Sequence, residues 1–159
     1  MIWVGDITYI KTAQGWLYLA IVKDLCTKKV VGYSFSNKID SNLVCDALIM
    51  AINRQHPPNN LIFHSDRGSK YSSSDFRKLL TIHHINQSRS RKGNPYDNAV
   101  AENFFSCLKC EFTFFQNFKT RAQAQTAIFR YIESYYNLIR PHSSLAWLSP
   151  INFELSFKF

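Results

Sequence analysis

The sequence is short of acidic residues, and the shortage is uneven along the chain. It contains 11 Asp and Glu against 19 Lys and Arg, which gives a formal net charge of +8 at neutral pH. The stretch from Arg67 to Lys92 holds seven basic residues and a single acid, Asp75. Because phosphate groups bind to clustered Lys and Arg side chains, this local excess favours a polyanionic partner.

Long apolar runs and closely spaced cysteine pairs are also scarce. No apolar run approaches the ~20 residues that span a bilayer, and no secretory signal opens the chain. Of the four cysteines, Cys107 and Cys110 form one C-x-x-C, but it lies in a predicted helix and no second pair accompanies it, which disfavours a zinc site. We therefore expect a cytoplasmic protein with free thiols and no membrane partner.

The composition excludes a disordered chain. Hydrophobic residues make up 46% and aromatic residues 15% of the 159 positions. This content and length suit one folded domain over residues 1–159. With only five Gly and five Pro, the chain has no long linker that would divide it.

Hydrophobic patterning predicts five strands and four helices. β-branched and aromatic runs predict strands, and apolar residues at helical spacing after Asp, Ser or Asn caps predict helices. The first three strands should form an antiparallel meander, and the later elements alternate, so we expect an α/β fold with a mixed five-stranded sheet and helices on both faces. The predicted strands are 2–10, 16–23, 29–36, 61–65 and 85–88, and the predicted helices are 40–55, 72–84, 99–114 and 120–138.

Three acids lie where elements of such a fold meet. Asp6 is in the middle of the first strand, Asp66 follows the apolar strand 61–65, and Glu102 is near the start of the third helix. Each alone has an ordinary explanation: a polar strand face, a turn, or a favourable position in the helix dipole. Together they can converge, and convergent carboxylates repel one another unless a hard divalent cation binds between them.

The spacing and local sequence resemble a known family. Asp66 and Glu102 have 35 residues between them, which resembles the signature of DDE transposases and retroviral integrases. The closest resemblance is to the catalytic domain of bacterial insertion-sequence transposases, and it extends from Trp3 to Phe153. The segments that carry it are "WVGDITYI", "FHSDRGSKYSS", "SRSRKGNPYDNAVAENFFSCLK" and "YNLIRPHSSLAWLSP".

The resemblance implies a ribonuclease-H-like fold and metal-dependent DNA cleavage and strand transfer. Asp6, Asp66 and Glu102 would be the catalytic residues and would hold two Mg²⁺ or Mn²⁺ ions. Element ends and target DNA would be the partners of a homo-oligomer on bacterial nucleoid DNA, with no small-molecule substrate. The residues expected to contact DNA are Arg67, Lys70, Arg89, Arg91, Lys92, Asn94 and Lys109.

Several points stay open at this stage. Gly5 replaces a threonine that the family usually has, and the family's upstream helix-turn-helix segments are not found here. Arg140 and His142, in the closing segment, are either structural or DNA-contacting. The alternatives to a transposase are a nuclease of the same fold that uses water alone, and a catalytically silent remnant that binds DNA.

Overall fold

The strands of the sheet form where the sequence is rich in β-branched and aromatic residues. The computed structural model of the chain describes residues 1–90 and 99–157. The strands are β1 (Ile2–Thr12), β2 (Gly15–Asp24), β3 (Val30–Ser36), β4 (Ile62–Ser65) and β5 (Asn86–Arg89). The sheet has the order β3-β2-β1-β4-β5, with β1, β2 and β3 antiparallel, β4 parallel to β1, and β5 parallel to β4. The predicted meander and mixed five-stranded sheet are therefore confirmed.

Most helices begin at a residue that can cap them. Asp40, Ser73 and Thr120 each accept a hydrogen bond from a backbone N–H in the first turn of the helix that follows. Within the described ranges, no helix combines the length and the apolar character needed to cross a bilayer. The helices are α1 (Ser41–Gln55), α2 (Ser74–Ile82), α3 (Ala99–Glu111), α4 (Arg121–Arg130) and α5 (Pro150–Ser156).

The C-terminal part differs from the sequence prediction. The single helix expected over 120–138 is α4 followed directly by a π-helical segment, Tyr131–Tyr136. The short α5 was not predicted, although Ser149 caps it and Pro150 occupies its first turn. A helix of seven residues is too short for apolar periodicity to reveal it.

Alternating side chains along the strands divide the core into two layers. Trp3 and Phe63 pack against α1 and α2 on one face of the sheet. Val4 and Ile10 pack on the other face, against Phe104 and its neighbours in α3 and α4. The expected placement of helices on both faces is thus confirmed.

Gly5 is needed for close packing on the α1/α2 face. A Cβ atom at this position would lie 2.4 Å from Cζ of Phe63 and 3.3 Å from the hydroxyl of Tyr71. Phe63 is itself held by Tyr71 and Phe76, with ring centroids 6.0 and 5.3 Å away. The ring therefore cannot move aside easily, which explains why glycine precedes Asp6.

Candidate active site

Asp6 lies within β1, and Asp66 directly follows β4, the parallel strand beside it. β1 and β4 pair Ile2 with Ile62 and Val4 with His64, and both aspartates come two residues after this last pair. Because neighbouring strands are ~4.8 Å apart, we expect the two carboxylates at the same end of this strand pair. The sequence analysis expected Asp66 at this strand end.

Both carboxylates have hydrogen bonds to backbone N–H groups. The Ile7 N–H donates to Oδ1 of Asp6 at 2.9 Å, and the Gly68 N–H donates to Oδ1 of Asp66 at 2.7 Å. A Cβ at position 68 would lie 2.8 Å from that same Asp66 oxygen. Glycine at 68 therefore lets the chain turn tightly around the Asp66 carboxylate. Both aspartates are half-buried, so solvent and ligands reach them.

The hydroxyl of Tyr71 interacts electrostatically with the carboxylates of both Asp6 and Asp66. Its side chain is buried, and burial raises the pKa of its hydroxyl well above the ordinary value. The negative charges of Asp6 and then of Asp66 raise this pKa further. The tyrosine hydroxyl therefore stays protonated beside the carboxylates, and both acids act on the same point of the core.

Glu102 lies in the first turn of α3, and its side chain is exposed. α3 packs against β1 through Ala101, Phe104, Phe105 and Leu108, on the face that also carries Val4. Because side chains alternate along a strand, Asp6 points to this face as well. Nevertheless, no three His, Cys, Asp or Glu side chains in the described ranges are grouped closely enough to hold a metal ion. The convergence of Glu102 with the two aspartates therefore stays a prediction.

The donor chemistry of the aspartate pair fits a hard divalent cation. Carboxylate oxygens are the ligands that Mg²⁺ and Mn²⁺ prefer, and Mg²⁺ sites commonly use one or two carboxylates with water and substrate oxygens in the other positions. Two half-buried carboxylates at one sheet edge supply that set. The pair fits such an ion without a third protein ligand.

Basic residues predicted to bind DNA surround this edge of the sheet. Arg67 follows Asp66 directly, and its Nε donates to the Ser90 carbonyl at 2.8 Å. Arg89, at the end of β5, is exposed, and its Nη2 donates to Oε1 of Gln87 at 3.3 Å. Lys70 is half-buried in the turn before α2. These three cations lie on the segments that flank Asp66, as the local charge excess indicated.

His64 and Arg67 together hold Ser88 and Ser90, at the start of the basic sequence segment 88–98, which is called the basic loop below. The two ring nitrogens of His64 form hydrogen bonds with Oγ of Ser88 at 3.0 Å and Oγ of Ser90 at 3.2 Å. Ser90 is therefore bound from both sides, by His64 and by Arg67. Three further predicted DNA contacts, Arg91, Lys92 and Asn94, lie outside the described residues.

Lys109 lies further along α3, away from the aspartates. Its Nζ is 5.3 Å from the centroid of the Tyr9 ring, and Tyr9 in turn makes an edge contact with Trp16. These residues line a cavity of about 740 Å³ together with Phe114. Lys109 thus sits on an exposed aromatic surface, and its predicted contact with DNA remains untested.

The sequence analysis missed one charged residue of the core, Lys23. It follows the apolar run "WLYLAIV" at the predicted end of the second strand, yet its side chain is only 1% exposed. The sequence feature that indicates its burial is that this lysine directly continues a strand expected to be buried on both faces. Its surroundings come from distant parts of the chain, so spacing alone could not reveal them.

Comparisons with known proteins show the family to which the sequence is similar. Residues 1–95 match a family model described as an integrase core domain, and residues 83–150 match a second model of the same description. The transposase for insertion sequence element IS904 of Lactococcus lactis is 46% identical over 153 residues, covering 96% of this chain and 60% of that protein. Transposase InsF for insertion sequence IS3A of Escherichia coli is 46% identical over 152 residues, covering 96% of this chain and 53% of that protein. The chain thus spans little more than half the length of these relatives.

Solved structures share the fold at low sequence identity. A chain of the simian T-cell lymphotropic virus intasome, in complex with PP2A regulatory subunit B56 gamma, matches with a TM-score of 0.77 at 20% identity, over 96% of this chain and 53% of that one. The HTLV-2 integrase catalytic core domain in complex with magnesium matches with a TM-score of 0.70 at 18% identity, over 96% and 94%. The BIV integrase catalytic core domain gives 0.70 at 17%, over 99% and 95%. These matches confirm the ribonuclease-H-like fold.

Proposed function

This chain belongs to the integrase core domain family, and from that premise we propose that it is the catalytic core of a bacterial insertion-sequence transposase. The reaction would cut a phosphodiester bond at the end of the element and join the freed 3′-hydroxyl to a second phosphodiester. The observation that carries this proposal is that Asp6 in β1 and Asp66 directly after β4 belong to neighbouring parallel strands and both act electrostatically on Tyr71. The similarity to bacterial transposases supports the choice of DNA as substrate.

Asp6, Asp66 and Glu102 would hold Mg²⁺ or Mn²⁺, two ions in each site. When bound, such ions activate the attacking oxygen and stabilise the leaving oxygen of an in-line phosphoryl displacement. α3 would carry Glu102 to the aspartate edge, since the helix packs on the face of β1 toward which Asp6 points. The magnesium complex of the HTLV-2 core domain supports the choice of ion.

The protein's own residues would position the DNA. The backbone N–H of Gly68 and the buried Tyr71 hold the aspartate edge in place. Arg67 and His64 hold Ser90, and thereby the start of the basic loop, beside Asp66. Lys70, Arg89, Arg91, Lys92 and Asn94 would then contact phosphates along the substrate, because clustered cations bind the DNA backbone without reading its sequence.

A homo-oligomer on bacterial nucleoid DNA, in the cytoplasm, follows from the same proposal. Transposition joins two element ends to one target, which calls for more than one catalytic core. Dimeric and trimeric forms of the HTLV-2 core domain support this inference. The relatives from Lactococcus lactis and Escherichia coli support a bacterial setting.

A strand-transfer assay with a pre-cut DNA end tests the proposal. The chain would be incubated with a labelled end, a target plasmid and Mn²⁺ or Mg²⁺. Joined products are expected, and they should disappear in Asp66→Asn, which keeps the size of the side chain but removes its charge. Asp75→Asn is the matched control, because Asp75 is an exposed acid in the first turn of α2.

The other outcomes identify the alternatives. Cleavage without joining, still dependent on Asp66, would replace the transposase with a nuclease of the same fold. DNA binding without metal-dependent cleavage or joining would favour a silent remnant. Joining that survives Asp66→Asn would remove the carboxylate pair from the mechanism and overturn the proposal.

A further inference from the structure

A basic pocket lies between the end of β2, the start of α3 and the segment 140–147, which comes after the π-helical segment. We define it by Lys23, Lys28, Arg140 and His142, which line a cavity of about 500 Å³. This volume falls within the ~300–1,000 Å³ typical of ligand pockets. None of the described residues that line the cavity is acidic.

Lys23 places a buried ammonium group in this pocket. Its Nζ donates to the Val100 carbonyl at 3.2 Å and lies 5.4 Å from the centroid of the Tyr136 ring. Burial first, and then the positive charges of Lys28 and Arg140, lower the pKa of Lys23 to about 7, partly opposed by Cys107. An ammonium has three donors, so Lys23 can donate to a ligand while it keeps its bond to Val100.

His142 adds a buried ring nitrogen that lacks a partner. The side chain is 8% exposed, and its Nε2 has no hydrogen bond among the residues that the structure describes. The same holds for the hydroxyl of Tyr136, whose ring packs edge-on against His142 at 4.9 Å. Burial and the charges of Arg140 and Lys23 lower the pKa of His142 to about 4. Buried polar atoms without partners are unfavourable, so a polar ligand there would relieve a cost.

Lys23 and Lys28 supply the positive charge in the pocket that no acidic side chain of its lining compensates. Arg140 is already bound to Glu111, through Nε and Nη2. Lys28 donates to the Leu25 carbonyl at 2.7 Å and forms no salt bridge with an acid in the described part of the chain. Ala99 and Val100, the first residues of the 13-residue α3, also line the cavity. The partial positive charge of a helix N-terminus adds to the attraction for an anion.

We propose that the basic pocket binds a phosphate group. The group has the right chemistry because it offers several oxygen acceptors and negative charge to Lys23, Lys28, His142 and the first turn of α3. Either the DNA backbone or free phosphate could supply it. In the DNA case the inference rests on the proposed function, and the bound phosphate would lie beside Asn103, the residue after Glu102.

Binding can be measured without metal or catalysis, so its failure and that of the proposed function are distinguishable. Inorganic phosphate would be titrated into the whole chain while NMR follows the imidazole signals of His142. We expect saturable shifts and a rise in the pKa of His142, because a bound anion favours the charged ring. The other charged or titratable groups facing the ring are Lys23, Arg140, Glu111 and Tyr136, and Lys28 and Cys107 line the same cavity.

Variants separate the pocket from general surface charge. Lys23→Met keeps the packing volume and removes the ammonium, and it should weaken phosphate binding about tenfold, the loss expected for one charged hydrogen bond. Lys28→Gln removes a half-buried charge at the rim of the pocket. Its affinity for phosphate decides the outcome if Lys23→Met does not fold. Lys38→Gln removes an exposed lysine elsewhere and should leave binding unchanged.

The source of the phosphate follows from competition. If a short DNA duplex displaces inorganic phosphate from His142, the ligand is the DNA backbone. If phosphate binds and DNA does not compete with it, the ligand is free phosphate or a phosphorylated small molecule. Both results support a phosphate site. His142 signals that do not respond to phosphate or DNA, or equal affinity in Lys28→Gln and Lys38→Gln, would overturn the proposal.

Discussion

Asp6 and Lys23 lie on the same face of the sheet, on paired strands, in opposite surroundings. β1 and β2 pair Val4 with Lys23 and Asp6 with Ile21, so the two charges are two residues apart along the sheet. Asp6 is half-buried at the edge where β1 and β4 run together, whereas Lys23 is 1% exposed beneath α3. The N-terminal half of α3 therefore lies between an accessible acidic edge and a basic pocket that contains a buried lysine.

This difference shows how one helix, α3, can pack beside two side chains of opposite charge. A carboxylate that receives a metal ion and a substrate must stay accessible, and the aspartate pair does. A buried cation is costly unless something compensates it, and within the described residues the Lys23 ammonium contacts a backbone carbonyl and an aromatic ring but no acid. The acidic edge thus suits a cation, and the basic pocket suits an anion.

The largest effect should come from removing the negative charge of Glu102. Glu102→Gln should lower metal-dependent DNA nicking by roughly 10³-fold, because a correctly held metal supplies several kcal/mol of transition-state stabilisation. Nicking rates at saturating Mn²⁺ measure the loss, with Asp75→Asn as the acidic control. Unchanged nicking in Glu102→Gln would show that α3 does not contribute to the acidic edge.

The basic side can be tested through the pH dependence of stability. The pKa of Lys23 is about 7 in the folded chain against an ordinary 10.5. Between these pH values the unfolded state binds the extra proton, so the residue raises the free energy of unfolding by up to about 1.4 kcal/mol per pH unit as pH increases. Lys23→Met lacks this slope and should be the more stable form near neutral pH, with the gap closing toward about pH 10.

Urea denaturation of both forms across this range measures the gap. Because the Cys107 thiol is coupled to Lys23, both forms carry Cys107→Ala, so that the difference isolates Lys23. A gap that stays constant with pH would mean that Lys23 is fully charged in the folded protein, and the contrast with Asp6 would lose its basis.

A smaller effect should follow from filling the space beside Asp6. Gly5→Ala would push a methyl group against the Phe63 ring, which lies 2.4 Å from the ideal Cβ position. Overpacking of this kind costs roughly 1–3 kcal/mol of unfolding free energy. Combining Gly5→Ala with Phe63→Leu should recover part of the loss. If Gly5→Ala alone is neutral, the packing under the acidic edge is looser than described.

The smallest effect is expected at Lys109, outside both regions. Lys109→Gln should lower the slope of log affinity for DNA against log salt by about 0.9, the value for one phosphate contact. The loss of its contact with Tyr9 should cost only about 0.5–1 kcal/mol of stability. Fluorescence anisotropy at several salt concentrations measures the slope, with Lys38→Gln as control. An unchanged slope would remove Lys109 from the DNA surface.

The sequence predicted the framework because local signals determine it. β-branched, aromatic and continuous apolar runs indicated the strands, and Asp40 and Ser73 indicated the starts of two helices. The position of Asp66 at a strand end could likewise be read from the apolar run before it. By contrast, the π-helical segment after α4 and the short α5 depend on packing, which no local pattern encodes.

The two polar regions differ in the same respect. Asp6 and Asp66 were found because their spacing and neighbours resemble a family signature. The basic pocket was not found, because Lys23 is a single charge in an apolar strand, and Arg140 and His142 reach it from more than 100 residues away in the sequence. Only the folded chain brings these groups to one cavity.

A crystal structure of the chain soaked in Mn²⁺ tests the central claim most directly. Anomalous scattering locates manganese without reference to the protein model. The account predicts manganese between the carboxylates of Asp6 and Asp66, with Glu102 completing the coordination. Manganese bound elsewhere, or a Glu102 carboxylate directed to solvent and out of reach of the two aspartates when the ions are bound, would contradict it.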